Sequence, residues 1–194
     1  MDNTTRIISG ILKGKKLAIP PADITRPSSD RTKEAVFSAL ESVLMQSDKT
    51  WRDIMFLDCF SGSGAIAAEA LSRGAYYVIS AEKNPEAQKV IRRNLSYFPP
   101  EYQQRHTLYG DIFDLPIAKK PADIIFMDAP YGQGLTEKAL TFLLKKGWID
   151  TDTIIATEIE NKEILPIPDG FTLLKEKNHG RAKICFLQYT KTTP

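Results

Sequence analysis

Short apolar runs rich in β-branched residues recur at residues 54–57, 77–81, 107–109, 123–127 and 153–157. Between them lie stretches with helical spacing of apolar residues at 65–73, 85–95 and 136–146. No other feature of the chain narrows its fold as much. Strands joined through helices run parallel, and a parallel sheet needs helices on both faces. Right-handed crossovers then leave a crevice at the carboxyl ends of the strands. Several of these ends are acidic: Asp58, Glu82, Asp128 and Glu158, with Asp111 just beyond the third run. Carboxylates gathered on one rim repel one another unless they bind something. Further on, 171–176 and 182–189 alternate in polarity and meet near His179-Gly180, a closing antiparallel hairpin. Before the alternation, Gly10 and Gly14 separate short apolar pairs, and Pro20, Pro21 and Pro27 follow, which reads as a small hairpin and an extended crossing. Ser29 or Asp30 then caps a helix through Leu44, with Val36, Phe37, Leu40, Val43 and Leu44 in one stripe. The expectation is a Rossmann-like α/β fold with a mostly parallel seven-stranded sheet. It divides into an N-terminal hairpin and helix extension, 1–50, and a main domain, 51–194.

Charge adds a direction. The net charge is +2, yet residues 6–33 hold seven bases against two acids, a local +5 that leaves −3 for the remainder. A basic arm on a mildly acidic body suits a polyanion gripped from one side, and equally suits a solvated segment with no partner. The bases are Arg6, Lys13, Lys15, Lys16, Arg26, Arg31 and Lys33. No apolar run approaches the ~20 residues of a membrane helix, and the first residues show no signal-peptide pattern. Two cysteines in 194 residues are too few for a disulfide framework and lack zinc-ligand spacing. The expectation is a monomer in a reducing compartment, the cytoplasm, with no membrane partner and no metal.

Four signals carry chemistry. Asp58-Cys-Phe-Ser61-Gly62-Ser-Gly64 is a glycine loop opening a helix, where backbone can approach a ligand. An acid just before it would repel phosphates and suits a cationic amino group; a ligand-free tight turn is the alternative. Glu82 ends the next strand 18 positions after Gly64, near the offset at which an acid takes ribose hydroxyls. The alternative is a surface pair with Lys83. Asp111-Ile112 after the third strand offers an acid and an apolar wall to an adenine, or simply a helix cap. Asp128-Ala129-Pro130-Tyr131 combines an acid, a rigid turn and an aromatic ring, which suits a planar group bearing an amine. His106 and His179 read as a surface and a hairpin residue, not as catalysts.

The order D-x-F-x-G-x-G, an acid, Asp111, then D-A-P-Y resembles class I S-adenosylmethionine-dependent methyltransferases. Those acting on exocyclic amines carry a [D/N/S]-P-P-[Y/F/W] tetrapeptide. The N-terminal R-I-I-S-G-I-L-K-G-K-K-L from Arg6 and R-P-S-S-D-R-T-K-E-A-V-F from Arg26 are similar to the RsmD family, which methylates N2 of a guanine in 16S ribosomal RNA. The resemblance runs over about residues 6–190. It implies a class I methyltransferase fold with S-adenosylmethionine as methyl donor, held by Asp58, Ser61, Gly62, Gly64, Glu82, Lys83, Asp111 and Ile112. It implies that Asp128 and the Ala129 carbonyl orient the target amine through the Pro130 turn, with Tyr131 stacked on the base. The basic arm would meet 16S rRNA or a small-subunit assembly particle. Alanine replaces the usual first proline at 129. It keeps the carbonyl but frees φ, which implies a looser turn and slower turnover. Competing expectations are another amine acceptor (adenine N6 or a protein glutamine), a nicotinamide-dependent oxidoreductase, and a non-catalytic RNA-binding module.

Overall fold

The computed structural model describes residues 4–21, 30–130, 132–180 and 182–191. An antiparallel hairpin, β1 (Thr4–Arg6) and β2 (Lys16–Ala18), precedes helix α1 (Asp30–Leu44). The alternating region follows as β3 (Met55–Asp58), α2 (Ala65–Ser72), β4 (Tyr77–Ala81), α3 (Pro85–Leu95), the short α4 (Pro100–Gln103), β5 (His106–Tyr109), β6 (Ile124–Met127), α5 (Leu135–Lys145) and β7 (Ile154–Glu160). The chain closes with β8 (Phe171–His179) and β9 (Ala182–Tyr189).

The large sheet has the order β5-β4-β3-β6-β7-β9-β8. The first five strands are parallel, and β9 runs antiparallel between β7 and β8. From β3 the chain winds outward to β5, then returns to lay β6 on the other side of β3. This reversal places the topological switch point between β3 and β6, where open sheets of this kind bind ligands. One apolar cluster on one sheet face joins Phe56 and Phe126 to α1, α2, α3 and the hairpin residues Ile7 and Leu17. A second, on the other face, gathers Leu57, Ile125, Leu140, Leu143 and Trp148. Helices thus cover both faces, as parallel strands require. Among the described residues no helix is long and apolar enough to cross a membrane.

The hairpin shares this core and is bolted down by buried polar groups. Glu69 of α2, fully buried, accepts the N–H groups of Ile8 and Ser9 at 2.7 and 3.0 Å and the Arg73 Nε–H at 2.8 Å. Ser72 accepts from Leu12 N–H and donates to the Ser9 carbonyl. Gly10 sits so close to Ser72 that a Cβ would lie 1.8 Å from its carbonyl oxygen, and its φ is +83°.

Two expectations, for Lys33 and for Glu158, need correction here. Lys33, grouped with RNA-facing bases, is fully buried: Nζ donates to Thr5 Oγ1 at 2.6 Å and to the Arg6 carbonyl, 3.2 Å from Asp30. The core needs a donor for hairpin groups that cannot reach water, and Lys33 supplies it. Asp30 opens α1, but its carboxylate goes to Thr5, Arg6 and Lys33 and so ties hairpin to helix. Glu158 is not at a strand end: β7 continues to Glu160 because β9 pairs with it there, Glu158 opposite Ile184. Ser29, Arg26 and Pro27 lie outside the described residues.

Candidate functional site

The exit of β3 is held on both sides. Cys59 N–H donates to the Phe126 carbonyl of β6 at 2.9 Å, and Ser61 N–H to the Ala81 carbonyl of β4 at 3.0 Å. Asp58, the last residue of β3, is therefore enclosed at the switch point, 1% exposed. Its Oδ2 has no hydrogen-bond partner. Burial pushes its carboxyl up to about 7, helped by the charge of Glu82 and opposed by hydrogen bonds from Ser61 and the Ala67 and Phe60 backbone. A buried carboxylate with an open oxygen is unstable as a purely structural device. It fits a site for a cationic group.

The glycine loop turns next. Gly62 and Gly64 have φ of +51° and +74°, a region that L side chains avoid. Gly64 has a second reason: a Cβ there would press on Ile91 of α3 at 3.0 Å. It serves helix packing as much as ligand approach. Glu82, half-buried just past β4, accepts Gly62 N–H at 2.8 Å through Oε2 and Asn84 N–H at 2.8 Å through Oε1. Both carboxylate oxygens thus go to backbone N–H groups of the loop and of the entry to α3, where Asn84 caps the helix through Glu86 and Ala87 N–H. Lys83 is exposed beside it. Asp111 caps a short 3-10 turn, Ile112–Asp114, by accepting Phe113 N–H at 3.1 Å, and Ile112 is buried. The capping alternative is realised, at the position where an acid and an apolar wall are also available.

Asp128 is half-buried one residue past β6, Ala129 is buried and Pro130 exposed. Tyr131 lies outside the described residues. The structure thus brings Asp58, Glu82, Asp111 and Asp128 to the carboxyl ends of four neighbouring strands. Lys13, Lys15, Lys16 and Arg31 are exposed, and Arg6 is 65% exposed while paired with Asp30. Lys15 Nζ stands 4.0 Å over the Tyr97 ring.

Both cysteines are buried. Burial pushes the Cys59 thiol well up, and the Cys185 thiol up to about 12 with Glu176 adding to it. His106 is half-buried on the edge strand β5: its Nε2 lies 2.9 Å from Ser80 Oγ, and burial lowers it to about 4. Sequence reasoning passed over Asn94, which is buried on α3. Its Oδ1 accepts Ala18 N–H at 2.9 Å, and Nδ2 donates to the carbonyls of Ala18 at 2.9 Å and Ser63 at 3.0 Å. One amide therefore joins the basic hairpin to the glycine loop. Its signal was available: a polar residue interrupting the apolar face between Ile91 and Leu95.

The model of the family described as conserved hypothetical protein 95 matches residues 5–188. The chain is 32% identical over 178 residues to ribosomal RNA small subunit methyltransferase D of Haemophilus influenzae, covering 90% of this chain and 89% of that one. It is 32% identical over 179 residues to the protein of the same name from Escherichia coli strain K12, covering 91% and 85%. The solved structure of yhhF from Escherichia coli superimposes with a TM-score of 0.79 at 27% identity, over 97% of this chain and 99% of that one.

Proposed function

Since the chain belongs to the family described as conserved hypothetical protein 95, the RsmD family to which its motifs point, we propose that it moves a methyl group from S-adenosylmethionine to the N2 amine of a guanine in 16S ribosomal RNA. The substrate is the free RNA or a small-subunit assembly particle in the cytoplasm. The observation that carries this reading is the meeting of the buried, open-sided Asp58 and the Asp128-Ala129-Pro130 turn at one switch point. An oxidoreductase has no use for the second, and a passive RNA-binding module has no use for the first.

Asp58 would meet the amino group of the donor, gaining the partner its Oδ2 lacks and returning to its charged form. Ser61, Gly62 and Gly64 shape the loop against the same portion. A carboxylate oxygen accepts more than one hydrogen bond, so Glu82 can pin Gly62 and take the ribose hydroxyls, with Lys83 at the rim. Asp111 and Ile112 would hold the adenine. S-adenosylmethionine, when bound, supplies the methyl on an already activated sulfonium. The chain's own task is to present the acceptor. The guanine N2 lone pair is delocalised into the ring and so is weakly nucleophilic. Asp128 and the Ala129 carbonyl, accepting its two hydrogens, favour a pyramidal nitrogen and stabilise the positive charge that grows on it. Alignment accounts for most of the remainder. Tyr131 stacks on the base. The target must leave its own stack at a cost of a few kcal/mol, and Arg6, Lys13, Lys15, Lys16, Arg26 and Arg31 grip the surrounding phosphates.

The test is twofold. S-adenosylhomocysteine raises the melting temperature and NADH does not; the reverse result refutes methyl transfer. Asp128→Ala reduces transfer to 16S rRNA from methylation-deficient cells by more than about 100-fold while S-adenosylhomocysteine affinity stays within about threefold. Unchanged turnover removes Asp128 from the chemistry.

A further inference from the structure

Beside Ala129 the carboxyl edge of the sheet opens into a pocket of about 220 Å³, room for one nucleobase. Ala129 and Pro130 form one side of its lining, and the turn after β7 forms another with Glu163, Ile164 and Leu165. The first turn of α5 adds Glu137. Among the described residues the lining holds two carboxylates and no lysine, arginine or histidine. It therefore repels a phosphate and suits a neutral planar group whose edge donates hydrogen bonds.

The two acids differ. Glu137 is exposed, whereas Glu163 is half-buried. Glu163 N–H is tied to the Glu160 carbonyl at 3.0 Å, which fixes the turn that carries it. Among the described residues its carboxylate makes no hydrogen bond or ion pair. Ile164, 87% exposed, offers apolar surface at the same turn without burying itself in the core. Together Glu163 and Ile164 offer an incoming ring an apolar surface beside an acceptor.

Guanine presents a ring N1–H next to its N2 amine; adenine and cytosine present a lone pair at the corresponding ring nitrogen. A carboxylate accepts the first and repels the second. We propose that Glu163 is the specificity-determining residue for the target base, accepting the guanine N1–H while the neighbouring amine lies at Ala129. This inference rests on the guanine N2 reading above and adds to it the reason guanine is selected.

The experiment uses a 16S rRNA fragment containing the guanine that the parent protein methylates. The comparison substrate has that guanine replaced by 2-aminopurine, which keeps the N2 amine and lacks the N1–H. The parent prefers guanine in kcat/KM by roughly ten- to hundredfold, the worth of a hydrogen bond to a charged acceptor. Glu163→Ala cuts that preference by at least about tenfold, through loss on the guanine substrate and relief of the carboxylate's repulsion on the other. The rise in 2-aminopurine fluorescence at saturating protein is the same for parent and variant, since the base still leaves its stack to enter the pocket. An unchanged preference in Glu163→Ala overturns the inference. So does the same loss of preference from Glu137→Gln with none from Glu163→Ala. If the parent transfers no methyl to any guanine of the RNA, both this inference and the proposed function fall together.

Discussion

Buried Asp58 and half-buried His106 give the apo-protein opposed responses to pH. Asp58 is raised to about 7 from 3.8. Between those values the folded state holds a proton that the unfolded state has released, so stability falls as pH rises through this window. His106 is lowered from 6.5 to about 4. There the unfolded state holds the extra proton, so stability rises with pH over the same range. Each contribution amounts to a few kcal/mol, and they offset one another in the parent. Thermal unfolding from pH 4 to 7 therefore shows a flat profile for the parent, a rising one for Asp58→Asn and a falling one for His106→Gln. Matching profiles for all three would refute the assignments. Lys33 makes a second prediction at this scale. Lys33→Ala removes the donor to Thr5 and Arg6 and lowers unfolding free energy by about 3 kcal/mol, measured in urea. The salt dependence of RNA binding stays that of the parent, because the group never faced solvent.

At the scale of elements, local signals were decisive where they were self-sufficient. Pro85–Leu95 forms on the expected residues because Asn84 and Pro85 start it and its apolar stripe needs only the sheet beneath. Tyr77–Ala81 and Ala182–Tyr189 also form where their patterns place them. Strands β7 and β8 run longer than their apolar runs because their length is set by pairing with β9, which no local pattern encodes. The short α4 was not legible, since four residues carry too little periodicity to register. In the site, the strand-end acids were legible from their spacing. The role of Lys33 was not, because a basic residue beside other bases reads as surface until the burial of the hairpin is known. The glycines of that hairpin were legible as turn residues, though not the steric reason for Gly10. Gly10→Ala, at φ +83° and against the Ser72 carbonyl, lowers stability by more than about 2 kcal/mol. Gly14→Ala, also at positive φ but with nothing within 4 Å, costs only about 1 kcal/mol. Equal losses in urea titrations would show that docking against Ser72 is not what Gly10 serves.

At the scale of the whole molecule, the N-terminal arm carries an excess of exposed bases, Lys13, Lys15 and Lys16 among them, while acids stand at the strand ends of the crevice. Reversing Lys13 and Lys15 to glutamate weakens RNA binding and lowers the slope of log affinity against log salt by about one for each lost phosphate contact. Binding isotherms at several salt concentrations read this directly, and a slope equal to the parent's removes these lysines from the interface. That arm is also woven into the main body. Glu69, Ser72, Asn94 and Lys33 all direct buried polar atoms at it. A shortened chain beginning at Asp30 would strip each of them of its counterpart and expose the apolar surface that Ile7 and Leu17 now cover. The alternating region, for all its outward completeness, is therefore not a minimal enzyme that can be trimmed free of its leader. Insolubility is the expected fate of such a fragment.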